Sequence, residues 1–177
     1  FMELARTSCR SRGIELFEAA VENSSGVVEA VQATIARGAE AIFIPGDTTV
    51  ASVCDSVVAV AGRVGVPVFT LVPGKPDRGT LFDVGFDFRD VGLLAGRRAG
   101  DLLAGADSTT MPIGETAAEI PPRLTFNLTA PGVDSAVWLV PDELLAQAKV
   151  VIDASGRRDQ PEAVLAGPFI EPLEERR

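Results

Sequence analysis

The chain has 177 residues, 46% hydrophobic and 23% charged, the proportions of an ordinary globular protein with room for one domain or two small lobes. Sixteen basic residues against 25 acidic ones give a net charge of −9, which argues against nucleic acid or an anionic membrane surface as partner. Histidine and tyrosine are both absent; this removes His-based triads, His metal sites and the commonest general base, so the inventory leans towards binding rather than catalysis.

Cys9 and Cys54 are too few for a disulfide framework. No apolar run approaches the roughly 20 residues that a membrane span needs. Phe1 precedes Met2, and no charged n-region with an apolar h-region follows. The chain is therefore expected to be a fragment of a longer protein.

In chain order, residues 2–12 read as the end of a polar helix with Gly13 as its stop. Ile14-Glu15-Leu16-Phe17-Glu18 reads as a strand, and Asn23-Ser24-Ser25-Gly26 as a turn and helix start. The helix that follows carries Val27, Val28, Val31 and Ile35 and stops near Gly38.

The most informative stretch comes next. Ala41 to Ile44 is a short apolar run without alternation, the mark of a buried parallel strand. Pro45-Gly46 breaks it, and polar Asp47-Thr48-Thr49 leads into a helix expected to run from about Thr49 to Val64. Its stripe is Val50, Val53, Cys54, Val57, Ala61 and Val64, with Gly65 at the C′ position and Cys54 a small packing residue. Strand, turn, polar triplet and helix place Asp47, Thr48 and Thr49 at the carboxyl edge of a sheet. Ligands collect there in open α/β folds, and a helix start offers free N–H groups. The same pattern also serves a plain helix cap.

Val66 to Leu71 reads as another strand, giving an α-β-α-β-α-β alternation and a parallel sheet. Residues 72–79 are a loop on composition. Leu81 to Phe88 reads as a strand, followed by a helix capped by Asp90 and ending near Ala104. That helix has an apolar face of Val91, Leu94, Ala95, Leu102 and Leu103, and Gly92, Gly96 and Gly100 on an adjoining face. Residues 105–122 are loop-like. Leu124 to Leu128 reads as a strand, Asp142 to Ala148 as a short helix and Val150 to Ile152 as a last strand.

The pieces "AEAIFIPGDTTVAS", "GVPVF", "RGTLFDVGFDFRDVGLLAGRRAGDLLAG", "MPIGETAAEIPPRLTFNLTA" and "VPDELLAQAKVVID" occur in an order and spacing similar to one family. From about residue 12 to 153 the chain resembles the carboxyl-terminal part of ABC-transporter substrate-binding proteins of the periplasmic-binding-protein-like, tryptophan/phenylalanine-binding type. The resemblance implies a type I periplasmic-binding-protein-like α/β fold, a parallel sheet flanked by helices, with one lobe nearly complete plus part of the other. Residues 1–84 would form most of the second lobe, 85–152 the crossover and an incomplete return to the first, and 153–177 a polar tail. It also implies that Gly46, Asp47, Thr48 and Thr49 form a ligand-contacting turn and that Asp87-Phe88 is a second contact. An amino acid would suit them: Asp47 or Asp87 for its ammonium, Thr48 and Thr49 for its carboxylate, Phe88 for its side chain. Two places depart from the family. Leu71-Val72-Pro73-Gly74 stands where small polar residues are usual, and Pro131-Gly132 interrupts an expected helix.

The function implied is the extracytoplasmic solute-binding component of an ABC importer, non-enzymatic, with no cofactor and no metal. Its partners would be a small-molecule ligand and the ABC transporter permease, and its place the periplasm or another extracytoplasmic space. Membrane contact would come only through the transporter or a missing lipid anchor. Alternatives of other classes are the effector-binding domain of a transcription regulator and a two-lobed racemase- or hydrolase-like enzyme. The racemase lacks a thiol at a strand-to-helix turn, since Cys54 is read as two turns into its helix. The hydrolase lacks a second acid two residues beyond Asp47, where Thr49 stands. Three structural expectations follow. Asp47, Thr48, Thr49 and Asp87 should share one sheet edge and face one concavity. One face of the 90–104 helix should lie open. The half-cleft about Asp47 should be open on one side, so that this piece alone binds ligand poorly.

Overall fold

The computed structural model describes residues 2–72, 78–111, 120, 122–131 and 140–159. The centre of residues 72–79, much of 105–122, the Pro131-Gly132 junction beyond Pro131, and the tail from 160 lie outside the described residues.

Helix α1 spans Met2–Ser11, and α2 Val27–Ala36 follows a 3-10 turn at Ser24–Gly26. Asn23 caps that turn, its Oδ1 accepting from the Ser25 and Gly26 amides. Strand β1 is Ile42–Ile44, followed by α3 Thr48–Ala51, α4 Cys54–Gly62 and strand β2 Val68–Thr70. Then come β3 Phe82–Gly85, α5 Phe88–Leu103, β4 Arg123–Asn127, α6 Asp142–Gln147, β5 Val150–Asp153 and β6 Gly156–Asp159. The six strands form one sheet in sequence order. The expected α/β architecture, a sheet flanked by helices, is present.

Several expectations are corrected. Residues 14–18 are not a strand and lie outside the sheet. Their side chains serve the preceding and following helices instead: Glu18 pairs with Arg6 at 2.7 Å, and Arg37 sits 4.5 Å over the Phe17 ring. The hydrogen bonds from Arg6 hold the Glu18 carboxyl below its ordinary range. The single helix expected over 49–64 is two, broken at Ser52-Val53. There the Ser52 hydroxyl donates to the Thr49 carbonyl at 2.7 Å, and Val53 leaves helical geometry at φ −117°, ψ 21°. Cys54 therefore opens α4, but its packing role stands, because it is buried in the core. Gly65, at φ +75°, ends that helix, and the Val66 amide returns to the Ala61 carbonyl.

The sheet is also not wholly parallel. Pairs β1–β2, β2–β3 and β4–β5 are parallel, whereas β3–β4 and β5–β6 are antiparallel. A helix that packs back across a sheet returns the chain to the opposite edge for a parallel strand. Helix α5 has no buried residue. Strand β4 enters at the edge where β3 ends, with Arg123 opposite Gly85, and runs antiparallel to it. Beyond Asp153 the expected tail opens with a hairpin. The Asp153 carboxylate accepts from the Ser155 hydroxyl and amide, which holds its pKa down, and Gly156 takes φ +111°.

The two sheet faces differ in character. One carries Ile42, Ile44 and Val68 under α2 and α4, and this cluster includes Val27, Val31, Cys54, Val57, Val58 and Ala61. The same face continues as a polar row, Thr70 beside Asp83 beside Thr125, all buried. Thr80 donates to Asp83 there at 2.6 Å. The other face carries Phe69, Phe82 and Phe126 side by side, with ring centroids 6.2 and 5.2 Å apart. Leu124, Val151 and Ala148 complete that second cluster.

Pro131, beyond β4, docks into a notch that only glycine permits. A Cβ on Gly62 would lie 2.5 Å from the Pro131 Cβ, and one on Gly79 would lie 2.9 Å from the Pro131 Cδ. A proline ring cannot rotate away. Gly62→Ala should accordingly destabilise the protein by about 1–3 kcal/mol. Gly96→Ala on α5, where nothing lies within 4 Å, should stabilise it by up to roughly 1 kcal/mol. Urea unfolding midpoints that moved in the same direction for both variants would contradict the notch.

The expectation that one face of α5 lies open is met on the glycine face, whereas on the apolar face Val91 and Leu94 are half-buried and its far end is open. Ala95, Leu102 and Leu103 of that face are exposed, Leu103 at 91%, and Gly92, Gly96 and Gly100 face open space.

Candidate functional site

The turn after β1 is built by Pro45 and Gly46. The Asp47 amide turns back to the Pro45 carbonyl, and Asp47 in extended geometry caps α3, its Oδ1 accepting from the Val50 amide at 3.0 Å. Gly46, Asp47 and Thr48 are exposed and Thr49 half-buried. Asp47 is thus the helix cap that its position admits, and α3 behind it is only four residues long.

A matching junction follows β3. Asp87, not Asp90, caps α5, its Oδ1 accepting from the Arg89 amide at 2.8 Å. The helix begins three residues earlier than its sequence suggests, because Phe88 enters the first turn rather than the strand. Phe88 is 75% exposed.

Because β1, β2 and β3 run parallel as neighbours, the residues leaving β1 and β3 emerge at the same carboxyl edge. The structure brings Gly46, Asp47, Thr48 and Thr49 to that edge together with Asp87 and Phe88. Two strand spacings, about 10 Å, separate the two junctions across the sheet. Between them, at the end of β2, the Thr70 hydroxyl accepts from the Val72 amide at 2.9 Å.

One residue at this edge was not singled out by the sequence. Arg123 opens β4, opposite Gly85 in the antiparallel register. Its Nη1 lies 2.7 Å from the Asp87 Oδ2 and its Nη2 2.5 Å from the Asp90 Oδ2. One guanidinium therefore serves two carboxylates on the first turn of α5. The strand reading began at Leu124, and nothing in the local pattern connects Arg123 to acids more than thirty positions earlier. Only the reversed direction of β4 brings them together. Among the described residues, no three His, Cys, Asp or Glu side chains are gathered in a way that would hold a metal. Nor is any described helix long and apolar enough to cross a membrane.

The family profile described as ABC transporter substrate binding protein matches residues 1–152. The chain belongs to this family. Among solved structures, a conserved domain protein from Vibrio cholerae O1 biovar El Tor is similar at 27% identity and a TM-score of 0.66, over 85% of this chain and 49% of its own. The ABC domain in complex with L-Trp from Streptococcus pneumoniae aligns at 21% identity and a TM-score of 0.67, with the same coverage. A ligand-free, open substrate-binding protein with adhesive properties from Clostridium difficile aligns at 21% identity and 0.55, covering 75% of this chain and 45% of that one. No curated protein sequence matches the chain. This substrate-binding-family chain thus spans about half the length of the solved proteins it resembles.

Proposed function

We propose that this chain is part of the extracytoplasmic solute-binding component of an ABC importer, which clamps an amino acid or a similar small ligand between two lobes. Residues 1–84 supply most of one lobe, and the division from 85–152 falls at the β3–α5 junction, while the sheet itself continues across it. In this reading Gly46, Asp47, Thr48 and Thr49 form one ligand-contacting turn and Asp87-Phe88 the other. Asp47 or Asp87 meets an ammonium, Thr48 and Thr49 meet a carboxylate, and the exposed Phe88 ring packs on the ligand side chain. The transporter permease is its partner, and the periplasm or another extracytoplasmic space its location.

The observation that carries the reading is the convergence of both acid-capped junctions on the carboxyl edge of β1–β3. That is where an open α/β sheet receives small molecules. Membership of a solute-binding family and an L-Trp complex in a structural neighbour support it.

The test is titration calorimetry on the full-length protein with the twenty L-amino acids. Saturable binding of at least one of them is expected, with an affinity that falls on substitution at Asp47 or Phe88. Absence of heat with all twenty would remove the amino-acid assignment.

A further inference from the structure

Asp87 does not stand at the ligand edge as a bare acid. Its Oδ1 is held by the Arg89 amide at 2.8 Å and its Oδ2 by Arg123 at 2.7 Å. Arg123 reaches on to Asp90 at 2.5 Å, so two negative charges share one positive charge across the mouth of the β3–α5 junction. The three side chains are part-exposed, between 30% and 43%, and a charge presented there is felt by whatever approaches. Helix α5 has no fully buried residue, and in its first two turns only Asp90, Val91 and Leu94 are half-buried. The Asp87 cap and this two-pronged brace from β4 therefore bear on how its start is held.

We propose that Arg123 is a positioning residue that braces the first turn of α5 and sets the charge preference of the ligand edge. With Arg123 in place, Asp87, Asp90 and the guanidinium sum to one negative charge, and Asp87 is aimed by two fixed donors. A zwitterion then finds a carboxylate for its ammonium, and the guanidinium offsets the repulsion that the two acids would exert on the ligand carboxylate held by Thr48 and Thr49. Without Arg123 the same corner carries two negative charges and favours a purely cationic ligand. The charge-preference part of this proposal rests on the amino-acid reading above; the brace does not.

The experiment compares wild type, Arg123→Gln and Arg123→Lys in the full-length protein, with L-tryptophan as zwitterionic probe and tryptamine as its carboxylate-free counterpart. Arg123→Gln should raise the ratio of tryptamine to L-tryptophan affinity about fivefold, the effect of one charge at roughly 4 Å in a water-like dielectric. Arg123→Lys should restore most of the wild-type ratio. Amide hydrogen exchange at Arg89, Asp90 and Val91 should accelerate in Arg123→Gln. An affinity ratio unchanged in Arg123→Gln, with or without a parallel loss of both affinities, overturns the charge-preference role. If wild type binds neither probe, the assignment to this class of amino acid fails instead. Exchange at 89–91 then decides the brace alone, and unchanged rates overturn it.

Discussion

Asp87→Asn in the full-length protein should weaken amino-acid binding by about 1.5–3 kcal/mol, the range for a hydrogen bond to a charged group. That is roughly a 10- to 150-fold loss of affinity. The substitution is informative because it separates two roles of the side chain. Asparagine caps a helix about as well as aspartate, so the bond to the Arg89 amide at 2.8 Å has a replacement. The ion pair with Arg123 is lost, but it is part-exposed. Such pairs contribute at most about 1 kcal/mol of stability. The expected result is therefore a large change in affinity beside a nearly unmoved unfolding midpoint. Calorimetry showing undiminished affinity would leave Asp87 as a cap and a partner for Arg123, with no ligand role.

The second large effect lies one layer below the site. Ile44 ends β1, is 1% exposed and belongs to the cluster with Val57, Ala61 and Val68. Ile44→Ala should cost about 2–5 kcal/mol, the lost transfer energy plus that of the cavity left behind. Because Ile44 immediately precedes Pro45 and the turn that carries Asp47, ligand affinity should fall with it. Denaturant unfolding would show this as a lower midpoint at unchanged slope. A loss under 1 kcal/mol would mean that the end of β1 is not anchored in the core.

The parts of the fold written in local pattern were legible. The apolar run at 41–44, the Asn23 cap, the stops at Gly13, Gly38 and Gly65, and the strands near 124 and 150 all lie where their residues place them. The junction after Gly46 was legible for the same reason: strand, turn and helix follow each other within ten residues. What failed depended on partners distant in sequence. Ile14 to Glu18 has a strand-like composition, yet its side chains are taken by Arg6 and Arg37. The helix break at Ser52-Val53 needed the Ser52 hydroxyl to be seen bonding back to Thr49. Asp90 looked like the cap because it precedes an apolar face, but Asp87 supplies the carboxylate and Asp90 turns to Arg123. Arg123 was invisible for a related reason. Its importance follows from the antiparallel entry of β4, which sets Arg123 opposite Gly85 and beside the first turn of α5.

The unlike faces of the sheet bear on how the chain avoids misfolding. Strands β1 and β2 are three residues long, so the backbone ladder alone discriminates poorly between neighbouring alignments. Sliding β3 by a single position would turn Asp83 onto the sheet face that carries Phe69 and Phe126 and put the Phe82 ring on the face that carries Thr70 and Thr125. A carboxylate would then be stripped of the Thr80 hydroxyl and water together, while a ring would lose its aromatic neighbours. The misaligned chain is thus penalised on both sides of the sheet at once. The buried acid that looks like a liability in the middle of β3 favours the native alignment over its neighbours.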